Sequence, residues 1–183
     1  MHCIDPTIPV TLISSSNDSR WKPPAVGVMK YNIDGSFDHD SNKFGTGIVL
    51  RDHTGTCLGI KGSSGNGALN PEAVECMEVR EALSWAKERN HPSIQIEADA
   101  KLVIDSINGN VLLIQWENKN LIKEIKHLIS SFYICEFVYV SRDNNQVVDA
   151  VAKNVRHTTK TLEIFGEFDP AICVLLEKDH NSS

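Results

Sequence analysis

Long apolar stretches are missing from this sequence. Its apolar runs, such as Val111–Ile114 and Phe137–Val140, fall far short of the ~20 residues a bilayer-spanning helix needs, so no membrane association is expected. Metal-type cysteine spacing is missing too. The five cysteines (Cys3, Cys57, Cys76, Cys135 and Cys173) are scattered, odd in number and never form a CxxC or Cys/His cluster. That excludes a zinc site or a disulfide framework and predicts reduced, mostly buried thiols of an intracellular protein. The first residues, Met1-His2-Cys3-Ile4-Asp5-Pro6, offer neither a basic start nor an apolar core, so no secretory signal is read.

An excess of basic charge is absent as well: the formal charge is −6. Its distribution matters more than its sum. Between residues 21 and 156, 15 Lys and Arg face 17 Asp and Glu, a net of −2, while residues 1–20 carry −1 and residues 157–183 carry −3. Charge therefore permits a nucleic-acid partner for the central region without predicting one.

What is present divides the chain in three. Residues 1–20 end in the polar run Ser14-Ser15-Ser16-Asn17-Asp18-Ser19 and read as a flexible linker. Residues 21–156 read as one domain, and 157–183 as a tail whose apolar segment Pro170–Leu176 either docks or floats. Within the domain, Tyr31–Phe37, Gly45–Arg51 and Cys57–Ser63 are β-like runs separated by Gly, Asp and Ser clusters, which predicts an antiparallel meander. Asn70 and Pro71 then open a helix running through Trp85 and ending before Pro92. A strand is expected over Ser93–Ala98, and a helix over Ala100–Asn108 with Asp99 as its cap. A further helix over Trp116–Phe132, a strand over Tyr133–Ser141 and a final helix over Gln146–Val155 complete the reading. The order βββ-α-β-α-α-β-α makes an α/β fold, a mixed sheet with helices on its faces.

Four carboxylates stand out by position. Taken singly, Asp34 before Gly35 reads as a turn residue, Asp99 as a helix cap and Glu75 as one of a solvated series with Glu72, Glu78 and Glu81. Asp149 is harder to set aside, lying among Val147, Val148, Ala150, Val151 and Ala152. Together they sit at a strand middle, a helix start, a strand's carboxyl end and an apolar helix. Clefts in α/β folds open at the carboxyl ends of parallel strands. Carboxylates gathered there need a cation to coexist as anions, and oxygen donors select Mg²⁺ or Mn²⁺. If all four hold metal, the rest of the domain is about +2.

Several segments taken in order resemble the type 1 ribonuclease H family: Lys30-Tyr31-Asn32-Ile33-Asp34-Gly35-Ser36, Gly45–Asp52, Val74-Glu75 followed by Glu81-Ala82-Leu83, Glu97-Ala98-Asp99, and Ser141–Lys153. More narrowly they look like the plant reverse-transcriptase-associated, non-LTR retrotransposon-type domains. The resemblance covers about residues 21–156. It implies a mixed five-stranded sheet, the antiparallel meander followed by parallel strands, with helices on both faces. It further implies that Asp34, Glu75, Asp99 and Asp149 hold two divalent ions for cleavage of the RNA strand of RNA–DNA hybrids, leaving a 3′-hydroxyl and a 5′-phosphate. Gly35, Ser36, Arg142 and Asn145 are implied near the substrate, with Asn145 also a candidate cap of the last helix. A monomer is expected.

Three departures from that family are visible. Arg142 stands in a short loop where many members carry a histidine, Val148 replaces a common alanine, and Glu78 replaces a small residue three positions after Glu75. The series Glu72, Glu78 and Glu81 suggests a wet flank, so Glu78 is expected to lean aside to solvent. The competing functions are a catalytically inactive, transposon-derived nucleic-acid-binding domain and a DNA-directed nuclease on the same fold.

Overall fold

The computed structural model describes residues 13–15, 22–109 and 114–181. Among the described residues, seven strands form one sheet: β1 (Ile13–Ser15), β2 (Met29–Phe37), β3 (Lys43–Arg51), β4 (Cys57–Asn66), β5 (Ser93–Ala98), β6 (Ile134–Tyr139) and β7 (Leu162–Phe165). Five α-helices accompany them: α1 (Pro71–Glu88), α2 (Lys101–Asn108), α3 (Lys119–Ile129), α4 (Gln146–Thr158) and α5 (Pro170–Asn181). The strand order is β1-β6-β5-β2-β3-β4-β7. β2, β3 and β4 make the expected antiparallel meander, and β5 and β6 join it in parallel. The sheet is thus the predicted mixed one, extended by a strand at each edge. β1 lies parallel to β6 and β7 antiparallel to β4. At three and four residues, both are too short for alternation to announce them. Of residues 1–20, only Ile13–Ser15 lie within the described residues.

Alternation along β3 sorts the two faces. Ile48 and Leu50 join Tyr31 and Ile33 of β2 in the larger core, against Val79, Leu83 and Trp85 of α1 and Ile122 and Ile125 of α3. Val49 points the other way, into a second core with Ile60, Val147, Val148 and Val151, against which Phe168, Ile172, Leu175 and Leu176 pack. The apolar segment of the tail therefore docks, beside α4.

Local chemistry fixes the helices that matter for the site. Asn70 caps α1, its side chain accepting from the Ala73 N–H at 2.8 Å, with Pro71 following. α4 lies almost on the sheet backbone. A Cβ at Gly47 would stand 2.6 Å from the Val148 carbonyl oxygen, and one at Gly45 would stand 2.2 Å from that of Ala152. Gly45-Thr46-Gly47 is thus the floor that lets α4 come close. Among the described residues, Cys76 and Cys135 are buried and Cys57 and Cys173 half-buried, all with free thiols; Cys3 lies outside them.

Candidate active site

Strand register brings the first two acids together. β2 and β5 are parallel neighbours with Asn32 opposite Glu97. Asp34 and Asp99 each lie two residues further along, at the carboxyl end of β5. Asp149 arrives from the first turn of α4, whose start is tied to β2 by the Asn145 side-chain amide donating to the Ile33 carbonyl at 2.8 Å. Glu75 comes from the start of α1.

The acids feel one another. Burial pushes Asp34 up to about 7, Asp99 and Asp149 push the same way, and the Gly35 N–H and Arg142 oppose them. Glu75 is likewise raised to about 7, first by burial, then by Asp99 and Glu72. Two cations sit at the rim. Arg142 Nε donates to Asp99 Oδ2 at 3.0 Å, with Arg142 82% and Asp99 13% exposed. This bond, with Asp34 and Asp149 behind it, raises the guanidinium further. Lys153 Nζ donates to Asp149 Oδ2 at 2.7 Å across one helical turn. Residue types suggest this last pair through its i,i+4 spacing.

Behind Asp34 lies a group that the sequence reading missed. Lys30 and Asn32, inward-facing on β2, both donate to the Glu97 carboxylate, Asn32 at 2.7 Å, and all three are buried. The apolar context of β2 and β5 hid this pair. It clamps the two strands that carry Asp34 and Asp99.

The residues expected near the substrate are arranged differently from one another. Arg142 is exposed. Ser36 and Asn145 are buried at 7% and 2% exposure, and the Gly35 N–H serves Asp34 Oδ1 at 2.9 Å. Two capping roles are corrected. Asn145 makes no side-chain cap bond to α4: its amide nitrogen donates to Ile33, and held there its Oδ1 accepts from no helix N–H. Asp99 does not cap α2, whose N-cap is Ala100, because its carboxylate is turned to Arg142.

Glu78 is the larger correction. It is fully buried, not turned to solvent. The stripe of α1 it belongs to runs through Val74, about one helical turn before it, and Trp85, about two turns after it, both 1% exposed. The other members of the series are engaged in hydrogen bonds of their own. Glu72 accepts from the Gln115 N–H and the Asn118 amide, and Glu81 accepts from Thr46 and Ser63. Glu78 fills the space left by Gly35, where a Cβ would stand 2.5 Å from Glu78 Oε2 and 2.8 Å from Val74 Cγ1. Neither of its carboxylate oxygens has a hydrogen-bond partner. Burial above all, then Asp34, Glu75 and Asp99, raise it well above the usual carboxylate range.

Sheet order and helices on both faces define a ribonuclease H-like fold. The chain belongs to the reverse transcriptase-like family, whose sequence model matches residues 32–155, more than half of it. No curated protein matches the sequence. Among solved structures it is similar to RNase H1 from the halophilic archaeon Halobacterium salinarum, with TM-score 0.66, 20% identity and 72% of this chain and 98% of that one covered. The N-terminal RNase H domain of a Mycobacterium tuberculosis protein gives TM-score 0.64 and 19% identity, with 71% and 94% covered. LC11-RNase H1 in complex with an RNA/DNA hybrid gives 0.58 and 13%, with 72% and 98% covered. At such identities the likeness is one of fold.

Proposed function

We propose that this chain is a divalent-metal-dependent endoribonuclease that cleaves the RNA strand of RNA–DNA hybrids. The observation that supports the reading is the mutual influence of the acids: Asp99 and Asp149 act with burial on Asp34, and Asp99 acts with burial on Glu75, so that Asp34 and Glu75 are both raised to about 7. Such a group is unfavourable by itself, and a cation relieves it. Among the described residues no three His, Cys, Asp or Glu side chains stand close enough to ligate one ion. Mg²⁺ does not require three, since it keeps several waters and takes one or two carboxylates together with substrate phosphates. The all-oxygen donor set and the mutual repulsion of the acids fit Mg²⁺ or Mn²⁺, two ions in the proposed centre.

When bound, such ions activate a water and shield the charge that develops on the phosphate. The chain's own residues prepare the place. Asp34 is held by the Gly35 N–H, and the Lys30–Glu97–Asn32 group fixes the strands beneath it. Asn145 anchors α4 so that Asp149 faces Asp34. Gly35, Ser36 and Asn145 act from below, while exposed Arg142 can exchange Asp99 for a phosphate of the incoming strand. RNA is distinguished through its 2′-hydroxyls and the groove shape of the hybrid. In keeping with this, a relative of the same fold is described in complex with an RNA/DNA hybrid.

The test is cleavage by the full chain, in Mg²⁺ and in Mn²⁺, of end-labelled hybrid, duplex RNA and single-stranded DNA. Cutting confined to the RNA strand of the hybrid is expected; cutting of single-stranded DNA alone contradicts the reading. One observation favours a second reading, a nucleic-acid-binding domain with little or no catalysis: the unpaired Glu78 carboxyl within the acid group. Binding of hybrid without cleavage in either metal selects it.

A further inference from the structure

Among the described residues, Glu78 is the buried acid whose two carboxylate oxygens both lack a hydrogen-bond partner. The other buried acids of the domain are provided for: Glu97 by Lys30 and Asn32, and Asp34 by the Gly35 N–H. One turn along α1, Glu81 takes Thr46 and Ser63 and has Lys61 at 3.7 Å, so those donors are spent. An unsatisfied carboxyl buried among apolar atoms is costly.

Glu78 and Asp34 share a contact residue. The Gly35 N–H is bonded to Asp34 Oδ1, and the side of its Cα where a side chain would stand is covered by the Glu78 carboxyl. The acids that act on Glu78 are Asp34, Glu75 and Asp99, the same group proposed to hold the cations. A divalent ion there supplies the positive charge this corner lacks, and its coordinated waters supply the missing hydrogen-bond donors.

We propose that Glu78 is a fifth acid of the cation site, an outer acceptor for the water shell of an ion held by Asp34 and Glu75. This rests on the reading that the four acids bind divalent metal. The role is an outer one because no three acids among the described residues are placed to share one ion directly; the Glu78 oxygens, closed off from solvent in the metal-free fold, meet that water shell from the space beside Gly35. It assigns a purpose to the position where the chain departs from the ribonuclease H pattern of a small residue.

The test is Mn²⁺ titration of the full chain, read from the electron paramagnetic resonance signal of free Mn²⁺, for the parent, Glu78→Gln and Glu78→Ala. Removing an outer-shell partner weakens metal binding by about 10- to 100-fold, so a rise in Kd of about tenfold or more is expected in both variants. Their metal-free Tm should equal or exceed the parent's. Mn²⁺ Kd values within about twofold of the parent, in variants shown to be folded by circular dichroism, overturn the proposal and leave Glu78 a mere burial defect. Should Glu78→Ala fail to fold, Glu78→Gln, nearly the same size, carries the comparison. A folded parent that takes up no Mn²⁺ removes the proposed metal-dependent function itself, a result separable from the variants' behaviour.

Discussion

At the scale of single residues, Asp34 works against the stability of the fold that holds it. Without cations it ionises near pH 7 in the folded chain and near pH ~4 when unfolded. Between those values the folded state keeps a proton that the unfolded state has lost, so this residue's contribution to stability falls as pH rises through that window. Asp34→Asn removes the effect. In metal-free buffer its Tm should match the parent's near pH 4.5 and exceed it at pH 8. Equal melting at both pH values contradicts the raised ionisation. Arg142 gives a second residue-scale prediction. Its bond to Asp99 is exposed and worth about 0–1 kcal/mol, so Arg142→Ala should barely move Tm. It also opposes the upward shifts of Asp34 and Glu75, so its loss should move the acidic limb of the pH–rate profile for hybrid cleavage toward higher pH. An unmoved limb means that Arg142 does not act on the acids.

Among the elements, α4 and its glycine floor decide whether Asp149 reaches the site. A side chain at Gly47 meets backbone of α4 rather than a flexible tip. Gly47→Val should therefore lift the helix, lowering stability by about 1–3 kcal/mol, read by chemical denaturation, and abolishing cleavage in the fraction that stays folded. Full activity in this variant would show that Asp149 is not needed where it stands. The same elements show how far local signals carry. Asn70-Pro71 opens α1 as read, because a cap and its helix are four residues of one segment. Asp99 and Asn145 have the same cap-like chemistry and do other things, since their partners, Arg142 and Ile33, lie 43 and 112 residues away. Its polar neighbours in sequence make Glu78 read as wet. Its true neighbour is Gly35, and absence of a side chain on another strand leaves no trace in the periodicity of α1.

For the whole molecule, the mixed sheet is legible because alternation and turn clusters mark its strands, whereas Asp34, Glu75 and Asp99 are weak signals singly and stand out only by their joint placement with Asp149. The edge strands and the docking of α5 are not legible. β7 has four residues, and the helix that covers Val49 and Ile60 reads from sequence as a short apolar segment in an acidic tail. A chain ending at Arg156 should thus lose several degrees of Tm by uncovering that second core; an unchanged Tm would make the docking incidental. Binding of hybrid should be weakly salt-dependent, with a slope of log K against log salt of roughly −2 to −4, as expected for about two to four phosphate contacts. A slope near −8 would reveal a basic surface that the charge distribution does not show. The most direct measurement of the central claim is the initial rate of RNA-strand cleavage in a labelled hybrid by the parent and by Asp34→Asn, in Mg²⁺ and in Mn²⁺. The account predicts cleavage that stops on chelation, and a rate at least ~1,000-fold lower, about 4 kcal/mol, in a variant that keeps its circular dichroism spectrum. A variant that cleaves at the parent rate, or a parent that cleaves equally well in chelator, would contradict it.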